Sequence, residues 1–265
     1  MTTRRRRKAP AYELHRGRGA PLHPEWLDDR VPNGFWTDPA NHRRYMLWLG
    51  RQLGFRRWED WYQIRVRDFD EHHGETLLGY YGGCAVRAVV ANFPEHVWQE
   101  WLFAFVPHGF WNDPANRRRY MQWLGDRLGF SRPEDWYRIK HRHFTQNHGG
   151  GFLTTAYNGS SIAAVKEYLP DYDWKEWLFD WAGPNFWSSP DNRRRYMEWL
   201  GEQLGYRRPE DWYQITLAVI HARSGGGLAR RYHNSPAALV MDCFPEYDWR
   251  PESFRGTRPS VRAAL

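Results

Sequence analysis

The chain has 265 residues, a formal net charge of +7, and 38 Lys plus Arg against 31 Asp plus Glu. No stretch approaches the roughly 18 apolar residues of a membrane span, and the opening MTTRRRRKAP has no apolar run behind its charges, so neither a span nor an ordinary secretory signal is expected. Cys84 and Cys243 are the two cysteines; they build no disulfide framework and suit an intracellular setting, cytoplasmic or nucleoid/nuclear.

Residues 1–22 come first in the chain. Arg4, Arg5, Arg6, Arg7 and Lys8 stand among Gly and Pro with almost no large apolar side chain, which predicts a disordered basic arm. Such an arm is a solvated tail, a targeting signal or an extension that meets a polyanion.

A single stretch then occurs three times: NHRRYMLWLGRQLGFRRWEDWYQI from Asn41, NRRRYMQWLGDRLGFSRPEDWYRI from Asn116 and NRRRYMEWLGEQLGYRRPEDWYQI from Asn192. Trp98, Trp174 and Trp249 close the copies and fall 76 and then 75 residues apart, the mark of a tandem array. The expected boundaries are 23–103 for the first repeat, with Pro24-Glu25-Trp26-Leu27 as a partial leading element, 104–179 for the second, 180–249 for the third, and 250–265 for a tail. Units this small bury little surface alone, so neighbours are expected to support one another. The 17 tryptophans supply large apolar area to such units.

Each copy opens on Asp38-Pro39, Asp113-Pro114 or Ser189-Pro190, a capping side chain before a proline at the first helical position. Tyr120, Trp123, Leu124 and Leu128 form one apolar stripe, and Gly54, Gly129 and Gly205 supply a left-handed stop. Pro133-Glu134-Asp135 and Pro209-Glu210-Asp211 begin a second, shorter helix with acids in its first turn. A polar segment around Asp68-Phe69 or His143-Phe144 ends in Gly74, Gly149 or Gly225, read as tight turns; without a Walker lysine or a preceding strand, a phosphate loop is not expected. Two short helices joined by a turn complete the copy as a helix-turn-helix-like pair. The fold class that follows is all-α, with about four short helices in each of three repeats.

On a helical wheel anchored at Tyr120, Arg118 and Arg119 point away from the stripe, as do Arg43, Arg44, Arg194 and Arg195. They sit near a helix N-terminus, where the macrodipole disfavours cations and something anionic should compensate. That anion is either the protein's own acids, Glu134-Asp135 and their counterparts, or a phosphate backbone. Arg56, Arg57, Arg132, Arg207 and Arg208 form a second basic set in the loop after the opening helix. Trp48, Trp123 and Trp199 lie on the stripe and are read as core rather than as stacking platforms. His141 and His143 have no cysteine nearby, so no metal and no other cofactor is expected, and no recurring nucleophile, base and orienting acid marks an enzyme.

The pattern N-x-R-R-Y-M-x-W-L-G-x-x-L-G, E-D-W-Y, G-G-x-L-x-x-Y, P-E-Y-D-W resembles a tandem-repeat family of multi-copy proteins with no established activity, over residues 24–249. The resemblance implies the repeat count and carries over no site residue. The third copy departs from it, with residues 217–220 replacing the polar segment and Arg230-Arg231 entering the next helix, as a capping unit would.

These features together predict a nucleic-acid-binding protein, on duplex DNA through phosphate contacts, with Arg87, Lys166, Arg230 and Arg231 nearest the groove. The alternative is a scaffold that shows an arginine- and aromatic-rich surface to an acidic protein. Neither a membrane nor a small-molecule substrate is expected as a partner.

Overall fold

A computed structural model describes residues 24–28 and 31–255, so Arg4, Arg5, Arg6, Arg7, Lys8 and the expected arm lie outside the described residues. Among the described residues all regular structure is helical, with twelve α-helices, ten short 3-10 helices and no strand. The α-helices are α1 Pro39–Gln52, α2 Val66–Asp70, α3 Glu75–Gly79, α4 Ala85–Asn92, α5 Pro114–Leu128, α6 His141–Thr145, α7 Gly150–Tyr157, α8 Ser161–Tyr168, α9 Pro190–Leu204, α10 Leu217–Ala222, α11 Gly226–Arg231 and α12 Pro236–Cys243. The chain divides into two compact units: the described residues up to Leu124 together with Phe144–Ala156, and Gly125–His143 together with the described residues from Tyr157.

The opening helices form as their caps dictate. Asp38 and Asp113 each accept the backbone N–H two residues on at 2.8 Å, and Ser189 accepts that of Asn192 at 3.4 Å. The inward stripe is complete in burial, with Tyr45, Met46 and Leu49 of α1 and Tyr196, Met197 and Leu200 of α9 all 0% exposed. Burying each such side chain contributes roughly 1.5–3 kcal/mol. Gly54, Gly129 and Gly205 then take φ of 72°, 71° and 73°, the left-handed stop that an L side chain resists.

Two expectations need correction. The Glu-Asp segments form 3-10 helices, Trp58–Gln63, Pro133–Arg138 and Pro209–Gln214, because each spans six residues and runs straight into extended backbone at Ile64, Ile139 or Ile215. The polar segment after them carries the single helical turns α2 and α6 and the slightly longer α10, which bury Phe69, Phe144 and Ile220.

The glycines that end this segment also have a different cause from the tight turn expected of them. The left-handed position belongs to the residue before each, His73, His148 or Ser224. Gly74, Gly149 and Gly225 are small because a tyrosine hydroxyl from the opening helix, that of Tyr45, Tyr120 or Tyr196, lies where a Cβ would stand. Each hydroxyl donates to a nearby carbonyl, Tyr45 to His72 and Tyr120 to Asn147 at 3.0 Å, and Tyr196 to Arg223 at 3.2 Å. Burial raises the pKa of all three tyrosines and holds them neutral.

In the first unit the tyrosine stripe packs with Trp26, Trp61, Phe69, Leu77 and Phe93. In the second, Trp177, Trp212, Ile220, Leu228, Leu239 and Phe244 play the same parts around Tyr196.

Candidate nucleic-acid interface

The paired arginines at the start of the opening helices are turned onto the protein itself. Arg43 of α1 pairs with Glu95 at 2.6 Å, donates to the Asn92 carbonyl and lies 5.2 Å from the Phe93 ring centre. Arg194 of α9 repeats this with Glu246 at 2.6 Å, the Cys243 carbonyl and the Phe244 ring, and adds Glu198 at 2.9 Å. Arg118, at the corresponding position of α5, is exposed and is likewise engaged.

The second arginine of each pair turns to a glutamate 19 residues earlier. Arg44 meets Glu25 at 3.0 Å, Arg119 meets Glu100 at 2.9 Å, and Arg195 meets Glu176 at 3.4 Å. Each guanidinium also covers the tryptophan next to its acid, Trp26, Trp101 or Trp177, at 5.6–5.8 Å. The acids that offset the helix dipole are therefore Glu25, Glu95, Glu100, Glu176 and Glu246, not the Glu134-Asp135 pair and its counterparts. Arg194 holds the Glu246 carboxyl below its ordinary value. Burial works to raise Glu176, but the hydrogen bond and charge of Lys166, helped by Arg195, win and lower it.

Lys166 is thus also committed, at 2.6 Å from Glu176. It lies on α8, the second helix of one of the three pairs α3–α4, α7–α8 and α11–α12. The second helices expose Arg87 and Ala91 on α4, Lys166 and Glu167 on α8, and Ala238 and Asp242 on α12, so they present no basic face in common. Arg230 and Arg231 are exposed in the last turn of α11, where the dipole favours cations.

The loop arginines are placed differently. Asp60 accepts the backbone N–H groups of Arg56 and Arg57 at 2.7 and 2.9 Å. Asp135 does the same for Ser131 and Arg132 at 2.9 and 3.0 Å, and Asp211 for Arg207 and Arg208 at 2.8 and 2.9 Å. These backbone hydrogen bonds, Arg56, Ser131 and Arg207 first in each case, hold the three carboxyls below the usual carboxylate range. The loop backbone is fixed while its side chains point outward. Arg56, Arg132, Arg207 and Arg208 are exposed and make no side-chain ion pair within 4 Å among the described residues, and Arg57 is 73% exposed with a long 3.5 Å contact to Asp60.

The first arginine of the triplet, which sequence reading did not single out, is the inward one. Arg193 is 8% exposed and donates to the Trp187 and Ser188 carbonyls at 3.2 and 3.0 Å, with Asp242 at 3.1 Å. Arg117 makes the matching backbone contacts to Trp111 and Asn112, and His42 takes this place in the first copy. Its position three residues before the stripe tyrosine, on the same helix face, was the available signal.

Trp48 and Trp199 pack on Trp26 and Trp177, ring centres 5.6 and 5.5 Å apart, and Trp123 on Trp101 at 5.5 Å, as core residues do. His143 is used locally, its Nδ1 accepting the Lys140 N–H at 3.2 Å. Among the described residues no three His, Cys, Asp or Glu side chains are grouped to hold a metal, and no helix is long and apolar enough to cross a membrane. Comparison with known proteins finds no family model, curated protein or solved structure that matches the chain.

Proposed function

We propose that the chain binds nucleic acid through the loop arginines Arg56, Arg57, Arg132, Arg207 and Arg208, which meet the phosphate backbone. The observation that carries this reading is the aspartate clamp. In every copy a carboxylate takes up two loop amides, so the backbone that carries these arginines is fixed while Arg56, Arg132, Arg207 and Arg208 face water and Arg57 keeps only a long contact to Asp60. A loop backbone fixed in this way meets a polyanion at a smaller cost in ordering. The helix arginines and Lys166, already paired, serve the fold, and Arg87, Arg230 and Arg231 add peripheral charge. This is a binding protein with no catalytic step of its own.

Fluorescence anisotropy of labelled nucleic acid with the full chain, over a range of salt, tests the reading. Affinity should fall linearly on logarithmic axes, and each loop arginine replaced by Ala should lower the slope by about 0.9 on duplex or about 0.7 on a single strand. The second reading, a scaffold for an acidic protein, is favoured by the exposed apolar Val97 and Tyr247, which phosphates would not use. A chain that ignores nucleic acid even at low salt would leave that reading in its place.

A further inference from the structure

Phe105 and Trp181 occupy matching positions in successive copies, in W-L-F-A-F and W-L-F-D-W, and both are largely exposed, 77% and 69%. Two residues before each, Phe103 and Phe179 are buried and fill the core. Packing therefore explains the inner ring and leaves the outer one without a structural task. Neither outer ring makes an aromatic contact among the described residues. A large ring kept in water costs solubility, and its recurrence at one position points to a ligand with flat faces.

The residue before each ring helps to line a groove within its own unit. In the first unit Phe55, Tyr62, Arg65, Arg67 and Ala104 help to line a groove of about 440 Å³, and Ala104 is the neighbour of Phe105. In the second, Tyr137, Arg138, Lys140, Leu178 and Asp180 help to line one of about 450 Å³, and Asp180 is the neighbour of Trp181. Each groove sets two cations against one acid. In the first that acid, Asp68, accepts the Arg65 N–H at 2.8 Å and lies 3.8 Å from the Arg67 guanidinium. In the second Asp180 pairs with Lys140 at 2.7 Å. Arg138 shares Asp135 with the Arg132 amide, so this groove reaches the loop that carries Arg132. In the first unit Leu53 and Phe55, on either side of the loop glycine, line the groove directly.

We propose that Phe105 and Trp181 are stacking platforms for the bases of single-stranded nucleic acid, whose phosphates pass over the loop arginines. The proposal rests on the nucleic-acid reading above and narrows its partner. Exposed aromatic rings suit unpaired bases, because a duplex has already stacked its base faces on one another and has none to offer.

The test titrates the full chain against a labelled oligodeoxythymidylate and a labelled duplex, with the double variant Phe105→Ala/Trp181→Ala beside the wild type. The exposed rings support little packing, so the variant should fold, and Trp181→Phe and Trp181→Leu separate stacking from simple apolar contact. The expected result is a loss of about fivefold to a hundredfold per ring for the single strand, little change for the duplex, and retention by Trp181→Phe but not by Trp181→Leu. Unchanged single-strand affinity in the double variant, or retention by Trp181→Leu as well, would overturn the platform assignment while the loop-arginine variants still tested nucleic-acid binding. Failure of the wild type to bind either probe at low salt would overturn both.

Discussion

Trp98 and Trp101 are equally buried, each 3% exposed, but their indole N–H groups are treated differently. Trp98 donates to the Phe93 carbonyl at 2.9 Å, as Trp174 and Trp249 do to Leu169 and Phe244. Trp101, like Trp26 and Trp177, finds no protein acceptor. Both lose similar area on replacement by Phe, so the hydrogen bond separates them. Trp98→Phe should cost about 1 kcal/mol more than Trp101→Phe, because it gives up a buried hydrogen bond that Trp101 does not make, although the Phe93 carbonyl keeps the His96 N–H. Urea denaturation of the two variants checks this; equal losses would mean that the indole bond contributes nothing. The same kind of residue-level difference divides the arginines. Arg119 and Arg132 read alike in the sequence, yet one closes on Glu100 and the Trp98 carbonyl and the other is left in water.

In the elements, close approach decides more than intrinsic propensity does. Gly50 lies inside α1, where Ala is favoured by about 1 kcal/mol in an open helix. A Cβ at that site would stand 2.7 Å from a Trp61 ring carbon, and overpacking of this kind costs about 1–3 kcal/mol. Gly50→Ala should therefore lower stability on balance, read as a lower urea midpoint; a stabilised variant would show that the Trp61 ring moves aside freely. The opening helices were legible in the sequence because cap, proline, stripe and stop glycine all agree on one period. The 3-10 segments and α2 were not, since over five or six residues a spacing of three cannot be told from one of four. Nor was the commitment of the helix arginines legible, because their acids lie 19 or 52 residues away, beyond the reach of any local pattern. Phe105 and Trp181 could have been found by aligning the copies, but their exposure could not.

Across the molecule, charge links folding to pH. Asp60, Asp135 and Asp211 are held below the carboxylate range by backbone N–H groups, and Glu246 by Arg194, so the folded state releases their protons more readily than the unfolded state. Their stabilisation is complete above the unfolded values, near pH 4 to 4.5, and is lost as pH falls from there through the depressed ones. His96, lowered by burial against the pull of Glu59 and Glu95, and His143, lowered by burial and by the charges of Arg142 and Lys140, add a shallower loss that begins below about pH 6.5. The melting temperature should thus hold level above neutrality, dip slightly toward pH 5 and fall further below pH 4; His96→Asn should shrink the first dip and leave the second. A profile that rose on acidification would contradict these assignments.

The division of labour between the two arginine sets is tested most directly by nucleic-acid affinity in paired variants, with melting temperature read on the same samples. Arg132→Ala/Arg207→Ala/Arg208→Ala should weaken binding and flatten its salt dependence while the melting temperature stays within a degree or so, as surface changes do. Arg43→Ala/Arg119→Ala/Arg194→Ala should lower the melting temperature by several degrees and leave the affinity of the folded chain near that of the wild type. The reverse pattern, with the helix set abolishing binding at an unchanged melting temperature and the loop set without effect, would contradict the account.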